Sequence, residues 1–428
     1  MKRRLGFLEA SMYAGADTPV NVVFPVKIAG AMEEAALIGA LQRIQRKHPF
    51  LNVTVETDAK GIPWYVTPGS ILPIPLRIVD RLSEETWIDE AETEWSAPFN
   101  QTNLPLARIT WVRSGQVSEL LAVCHHCIGD ATSAMTIMRE LLECLADPAT
   151  DLLPYPAISP DALVPVAVRQ NILNRLAGKA IAGITRVFLL AVTGMKEVVK
   201  DRFYTIRWKL SEEETATLLS VCKEKGIHLN ASLILVFMRA FERAGNVRTS
   251  GRMFASVDMR RFLPQIKKDH LFPFPSMVGL ETPRDKNGFR EQANALKARL
   301  HKQLEKTDAA RLLLFSEYLV PLYPRSIKYA KAGKGGHDFA FANIGRIPLN
   351  ETYGPLRVVE VHCPLSRFPM GNPSKVSVST FRGRMDFAFH SEEKYIARQD
   401  AEFIIGTAMK LLREHLLETK PLTIPDLK

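Results

Sequence analysis

The octapeptide Cys124-His125-His126-Cys127-Ile128-Gly129-Asp130-Ala131 places two adjacent histidines directly after an apolar run at residues 120–123. Beyond it, apolar residues recur at helical spacing between Met135 and Leu145. This pattern predicts a buried strand that ends at the histidines, then a short loop, then a helix for which Asp130 is the N-cap. Catalytic side chains often lie on loops that a rigid scaffold holds in place, so the histidines are candidates for chemistry.

A neutral imidazole can accept a proton near pH 7, which makes base-catalysed group transfer the first hypothesis for this stretch. Successive side chains of a strand point to opposite faces, so only one of His125 and His126 can face a given substrate. The competing interpretation for each is a core histidine that is satisfied by backbone groups.

Cys124 and Cys127 flank the histidines, and the four residues together invite a comparison with a zinc site. Zinc requires four ligands in a tetrahedron, whereas side chains that alternate along a strand diverge and cannot surround one ion. No second cluster in the sequence completes such a site. We therefore expect no metal, and we expect Cys124 to pack as a small apolar group.

The octapeptide resembles the His-His-x-x-x-Asp-Gly signature of the CoA-dependent acyltransferase superfamily. This superfamily includes chloramphenicol acetyltransferase, condensation domains of nonribosomal peptide synthesis, alcohol acyltransferases and polyketide-associated acyltransferases. His125, His126 and Asp130 match the signature, and Ala131 stands where the family usually has glycine. Four further segments resemble family segments in the same order along the chain: residues 37–49, 97–108, 257–260 and 343–345. The Asp-Phe-Gly-Trp-Gly motif of the plant acyltransferases is absent, which argues against that branch.

The resemblance implies an α/β fold of two chloramphenicol acetyltransferase-like domains, each a mostly antiparallel or mixed sheet with flanking helices. The active site would lie in a tunnel between the two domains. The expected division is an N-terminal domain at 1–152, a proline-rich linker with a basic amphipathic helix at 153–203, and a C-terminal domain at 204–428.

The resemblance also implies roles for particular residues. His126 is the expected general base, and His125 is expected to organise the site without taking part in the chemistry. Family members use the aspartate in an ion pair that holds the loop, and the expected partner of Asp130 is Arg260; the competing interpretation of Arg260 is a solvated charge. Three further candidates would line the tunnel or stabilise the oxyanion: Asn343, Gly345 and Ser379. For the first two, the competing interpretation is a simple turn.

Composition sets limits on location and partners. Apolar residues make up 46 % of the chain and charged residues 24 %, which is ordinary for a globular protein. No apolar signal-peptide core follows the first residues, and five cysteines without framework spacing predict reduced thiols and a cytoplasmic location. The formal net charge is +10, but no nucleic-acid-binding motif accompanies it, so we expect no nucleic acid partner.

The segment 161–210 carries nine Lys and Arg residues against three Asp and Glu, so six of the ten net positive charges lie there. Its pattern predicts one long helix over 166–201. Lys179 and Arg186 interrupt its apolar residues, so a membrane-spanning helix is not expected. A basic amphipathic helix can lie on a membrane surface or bind an acidic carrier protein. The competing interpretation is a helix packed on the two domains with a solvated basic side.

The resemblance predicts an acyltransferase with no bound cofactor. Its donor would be an acyl-CoA or a phosphopantetheinyl thioester on an acyl or peptidyl carrier protein, and its acceptor a small alcohol or amine. Transfer to a hydroxyl group is the favoured expectation. One alternative is a condensation domain that forms amides. Another is a catalytically silent relative that only binds a carrier protein, to which the substitution at Ala131 gives some weight.

Overall fold

The computed structural model describes residues 2–69, 72–100, 104–192, 194–196, 201–273, 275–283, 288–333, 336–368 and 371–417. The strands of the first half are β1 (Lys2–Arg4), β2 (Asn21–Ala29), β3 (Thr54–Thr57), β4 (Pro63–Val66), β5 (Leu76–Asp80), β6 (Ala107–Arg113) and β7 (Val117–His125). Its helices are α1 (Phe7–Tyr13), α2 (Glu34–Lys47), α3 (Thr86–Ser96) and α4 (Ala131–Ala146), with a 3-10 turn at Pro49–Asn52.

Three helices bridge the halves: α5 (Pro160–Leu163), α6 (Val166–Gln170) and α7 (Ile172–Ala191). The strands that follow are β8 (Phe203–Leu210), β9 (Arg252–Asp258), β10 (Pro275–Glu281), β11 (Phe339–Arg346), β12 (Thr352–Tyr353), β13 (Leu356–Val361), β14 (Leu365–Ser366), β15 (Lys375–Phe381) and β16 (Arg384–Glu392). The helices are α8 (Glu212–Glu224), α9 (Leu229–Arg243), α10 (Phe289–Glu305), α11 (Ala309–Leu319), α12 (Tyr323–Lys331) and α13 (Arg398–Leu412). Short 3-10 helices lie at Met259–Phe262 and Val320–Leu322, and a π-helical turn lies at Arg413–Leu417.

Two large sheets organise these elements. The first has the order β12-β13-β2-β7-β6-β5, and the second has the order β10-β9-β11-β15-β16-β8. A small sheet, β1-β4-β3, lies beside the first. Each large sheet has its own apolar core. A third cluster joins the halves, because Val23 and Val123 of the first sheet belong to the same buried group as Ala388 of the second.

The later part of the chain contributes strands to the first sheet. β13 pairs with β2 in antiparallel register, Val361 facing Val26, and β14 pairs with the same strand, Leu365 facing Val23. The expected domain boundary at residue 204 therefore does not separate the two sheets, because β13 and β14 lie after it and belong to the first sheet. They pair with β2 because its backbone N–H and C=O groups on the side away from β7 would otherwise have no partners.

The single helix predicted over 166–201 is wrong in its extent. The structure has two helices there, α6 and α7, and α7 ends at Ala191. The break falls at Asn171, whose side-chain Oδ1 accepts hydrogen bonds from the amides of Leu173 (2.9 Å) and Asn174 (3.2 Å). These bonds cap a new helix start instead of continuing the old one. Residues 193 and 197–200 of the predicted helix lie outside the described residues.

Candidate active site

The loop between β7 and α4 is fixed at both ends by hydrogen bonds. At its start, the His126 amide donates to the Val20 carbonyl (2.7 Å), and at its middle the Tyr65 hydroxyl donates to the Cys127 carbonyl (2.6 Å). At its end, Asp130 caps α4, since its Oδ1 accepts from the Ser133 amide at 3.0 Å. The loop that carries the histidines is therefore rigidly attached to the first sheet.

The two histidines point in different directions, as strand geometry predicts. His126 lines a cavity between the two halves, whereas His125 lies in the first half between the rings of Tyr13 (5.7 Å between centroids) and Phe99 (5.8 Å). The Cys127 amide donates to His125 Nδ1 at 3.2 Å. The surroundings of His125 thus suit an organising role, and those of His126 suit contact with a substrate.

Burial governs the charge of His126, which is 2 % exposed. Loss of hydration lowers the pKa of His126 to about 4; the Asp130 carboxylate opposes this shift, and the Lys375 ammonium adds to it. The ring stacks obliquely on Phe368, with 5.4 Å between the ring centroids. His126 is therefore neutral at pH 7 and can accept a proton.

Asp130 and Arg260 lie together, although 130 residues separate them in sequence. Arg260 Nη1 donates to Asp130 Oδ2 at 2.6 Å, and Nη2 donates to Oδ1 at 2.9 Å, which is a bidentate pair. Arg260 Nη2 also donates to the carbonyls of His270 (3.3 Å) and Phe272 (3.1 Å). Burial opposes ionisation of Asp130, but the charge and hydrogen bonds of Arg260 outweigh it and hold the pKa of Asp130 below its ordinary value. The pair links the histidine loop to the second half.

Two small residues, Gly129 and Ala131, lie at the end of the histidine loop, and each is accommodated for a different reason. A Cβ on Gly129 would lie 2.7 Å from the Cβ of Ser133, so a side chain there would displace the first turn of α4. Ala131 is the first residue of that helix, and it is not among the described non-glycine residues with positive φ, which are Ala14 and Arg382. Alanine in place of the family glycine therefore causes no backbone strain at this position.

The cavity has a volume of about 150 Å³ and both halves line it. The first half supplies His126, Asp130 and Thr132 near the start of α4. The second half supplies Ser256 from β9 and Asn343 from β11, together with Phe368 and Lys375. The cavity therefore lies at the boundary between the two halves, with His126 on one wall and Lys375 on the other.

Asn343 and Gly345 form the bulged end of β11. The pairing of β11 with β15 shifts register between these two residues. Asn343 Oδ1 accepts from the Gly345 amide at 2.9 Å, and Gly345 has a φ of +75°, which glycine adopts without strain. Asn343 lines the cavity, and Gly345 supports the turn behind it. Both interpretations of this segment, a turn and a cavity wall, therefore apply.

Ser379, an oxyanion candidate, does not line this cavity. It is 1 % exposed and lies near Cys363. Lys375 shares its face of β15 and does line the cavity. The reason is position along the strand: Lys375 begins β15 at the cavity, whereas Ser379 lies four residues deeper between the sheets.

Lys375 is a site residue that the sequence analysis missed. It is 5 % exposed, its Nζ donates to the Ser366 hydroxyl, and the ammonium lies 5.0 Å from the centroid of the Phe368 ring. Burial lowers the pKa of Lys375 to about 8. Within the described part of the chain it forms no ion pair with a carboxylate. The sequence indicated this role only through strand alternation. Lys375 precedes the segment Val376-Ser377-Val378-Ser379 and therefore lies on the same face of the strand as the two serines.

Comparisons with known proteins agree with this arrangement. Residues 5–147 match the family model of the condensation domain. Chondramide synthase of Chondromyces crocatus is 30 % identical over 147 residues, which are 32 % of this chain and 4 % of the synthase. The chain thus spans a small part of the length of that relative.

Solved structures resemble the chain over nearly its whole length. The trichothecene 15-O-acetyltransferase TRI3 from Fusarium sporotrichioides superimposes with a TM-score of 0.72 at 12 % identity, covering 96 % of this chain and 95 % of the other. The first condensation domain of the CDA synthetase gives a TM-score of 0.67 at 16 % identity, covering 99 % of both chains. The fold class that the resemblance implied is confirmed, and the match of residues 5–147 to the condensation domain agrees with the superfamily that the histidine motif indicated. The chain has the two-lobed α/β fold of these acetyltransferase and condensation-domain structures, and its residues 5–147 match the sequence pattern of the condensation domain.

Proposed function

We propose that the chain transfers an acyl group from a thioester donor to an amine, with His126 as the general base, and so forms an amide. The observation that carries this proposal is a neutral, buried His126 that faces a cavity lined by both lobes. The match of residues 5–147 to the condensation domain supports it. The proposed donor is an acyl-CoA or a phosphopantetheinyl thioester on a carrier protein.

The proposed reaction needs no covalent intermediate on the protein. The amine nitrogen attacks the thioester carbonyl carbon, a C–N bond forms, and the carbonyl electrons move to the oxygen. His126 accepts the proton that the nitrogen loses. When the carbonyl re-forms, the C–S bond breaks and the leaving thiolate takes the proton from His126. Bringing both substrates into one cavity supplies part of the acceleration, because their relative motion is already restricted.

The positive charge of Lys375 faces the same cavity, and we assign it two effects. It stabilises the negative charge that develops on the carbonyl oxygen, as preorganised donors do in acyl transfer. It also disfavours protonation of His126 before the substrate binds, because it lowers the pKa of that histidine.

The weak basicity of His126 favours an amine over a hydroxyl group as the acceptor. A neutral amine is nucleophilic before it loses a proton, and its nitrogen becomes acidic only after attack. A hydroxyl group depends more strongly on removal of its proton during attack, and burial lowers the pKa of His126 and so weakens it as a base. Amide formation is therefore proposed in place of the O-acyl transfer that the resemblance favoured. Transfer to a hydroxyl group is the second candidate, and the fold that the chain shares with the 15-O-acetyltransferase supports it.

Retention of the catalytic arrangement argues against a silent relative that only binds a carrier protein. The proposed base, His126, lines the cavity, and the capping Asp130 is paired with Arg260. The alanine at position 131 introduces no strain that would displace them.

The proposed function is tested by intact-mass detection of products from a panel of acyl-CoAs and acyl carrier proteins. Each donor is offered an alkylamine and the alkanol of the same length. We expect amide formation at a higher kcat/KM than ester formation. Ester as the main product would favour the second candidate. No product with any donor, while a carrier protein still binds, would favour the silent relative.

The pH profile tests the role of Lys375. With rates expressed per concentration of unprotonated amine, the acid limb of kcat/KM reports the free protein's base. We expect this limb at an apparent pKa of about 4. In Lys375→Met a nearby positive charge is lost, imidazolium is less disfavoured, and the limb should move to higher pH. Lys375→Arg keeps the charge and should leave the limb in place. An unchanged limb in Lys375→Met would show that Lys375 does not act on His126.

A further inference from the structure

The solvent-facing side of α7 is apolar, which is unusual for a surface helix. Six of its large aliphatic side chains are more than half exposed; they form what we call the apolar face: Ile172, Leu173, Leu176, Ile184, Val187 and Leu190. At 3.6 residues per turn they fall within an arc of about 120°. Exposed apolar patches of this kind mark interaction surfaces, whereas single exposed apolar residues do not.

The opposite side of α7 packs against α11 and α12. Asn174, Gly178 and Leu189 are its buried residues. A Cβ on Gly178 would lie 2.5 Å from the ring of Tyr318 in α11, so the two helices pack closely there. Arg325 of α12 donates from Nε to the Leu189 carbonyl at 2.6 Å. The apolar face is thus held outward by a packed helix and is not the result of a loose segment.

Positive charge borders the apolar face along one side. Arg175, Lys179 and Arg186 are exposed and fall within an arc of about 40° beside it. No Asp or Glu occurs between Asp161 and Glu197. The helix therefore combines a broad apolar face with a cationic edge, which is the pattern of helices that lie in the interface of an anionic bilayer.

We infer that α7 binds the surface of a phospholipid bilayer with anionic head groups, lying in the plane of the membrane. The apolar face enters the boundary between head groups and acyl chains, and the three basic residues contact lipid phosphates. No helix among the described residues combines the length and apolarity needed to cross a bilayer, so the contact is with one leaflet. This inference does not depend on the proposed function.

Charge complementarity distinguishes this occupant from a second copy of the chain. Pairing of two α7 helices would bring no acidic residue of either helix to the cationic edges. An acidic carrier protein would complement the charge, and it is therefore the alternative that the experiment must separate from lipid.

The test is flotation of the full chain with two kinds of vesicle: phosphatidylcholine alone, and phosphatidylcholine with about 30 % phosphatidylglycerol. The second kind has a negatively charged surface. We expect the chain to float with the anionic vesicles and to be released as salt rises. Ile184→Asp with Val187→Asp should lower the partition coefficient at least about tenfold, because the apolar contact is lost. Lys179→Glu with Arg186→Glu should remove the preference for anionic vesicles.

Matched controls carry the same charge changes on other helices. Leu219→Asp with Phe403→Asp replaces exposed apolar residues of α8 and α13, and should leave flotation unchanged. Equal melting temperatures of all variants would show that the fold is intact, which is expected because every replaced side chain is exposed. In Leu176→Trp, anionic vesicles should shift the tryptophan emission to shorter wavelength.

Two results would overturn the inference. One is that the unaltered chain does not float with anionic vesicles. The other is that it floats equally well after Ile184→Asp with Val187→Asp. If an acyl carrier protein, but no vesicle, protects Leu176→Trp from a soluble quencher, the apolar face binds carrier proteins and the lipid proposal is wrong.

Discussion

Replacement of His126 with alanine is expected to lower kcat/KM by about 10²- to 10⁴-fold, the usual contribution of a general base. The imidazole faces the cavity between the lobes, and other groups fix the loop: the His126 amide, the Cys127 carbonyl and the Asp130 carboxylate. The loss should therefore fall on kcat at saturating substrate, with little change in the melting temperature. Product formation is followed by mass spectrometry with the best donor and acceptor of the panel.

The neighbouring histidine provides the control for this experiment. His125→Ala removes a side chain packed between Tyr13 and Phe99, so we expect a lower melting temperature and a smaller effect on kcat. Retention of more than about a tenth of the original rate in His126→Ala would contradict base catalysis by this residue. An equal loss in both variants, with equal destabilisation, would indicate that the loop as a whole had been disturbed.

Breaking the pair between Asp130 and Arg260 is expected to destabilise the fold by about 3–5 kcal/mol from either side. Asp130→Asn leaves the buried guanidinium of Arg260 without its main partner. Arg260→Met leaves the carboxylate of Asp130 without its main partner. Activity should fall together with stability, because the pair holds the histidine loop against the second lobe. Denaturant unfolding at pH 7 gives the free energy of unfolding, and the turnover assay is carried out on the same samples.

The double variant separates this pair from two independent effects. If the residues interact, Asp130→Asn with Arg260→Met should cost clearly less than the sum of the single losses. Losses that add within about 0.5 kcal/mol would show that the contact contributes nothing of its own. Arg311→Met with Asp308→Asn, an exposed pair three residues apart, serves as a control and should change stability by less than about 1 kcal/mol.

Local pattern was sufficient for the histidine loop. The apolar run before His125, the helical spacing after Asp130 and the alternation of a strand predicted the strand end, the cap and the divergence of the two histidines. These features depend on interactions within about twenty residues, which periodicity reports directly. The contact between Asp130 and Arg260 was predicted only through the resemblance to a family. The sequence around each residue gives no indication that the other is its partner.

The second lobe's part in the cavity could not be predicted in the same way. Lys375 and Ser379 occupy equivalent faces of one strand, and the sequence gives no measure of which of them lies at the cavity. The register of β15 against β11 and β16 decides which of the two lies at the cavity. That register depends on packing against strands that include β11, which is distant in sequence. The attachment of β13 and β14 to β2 has the same origin.

The residues proposed for the chemistry, a base, a helix cap and its charged partner, can thus be found in the sequence. The charge state and surroundings of that base are properties of the tertiary structure. The pKa of His126 is lowered because both lobes exclude water from it and because Lys375 faces it from another sheet. The apolar face of α7 is likewise visible in sequence only as an amphipathic helix. Which side of that helix faces solvent was decided by its close packing on α11, where Gly178 leaves room for the ring of Tyr318.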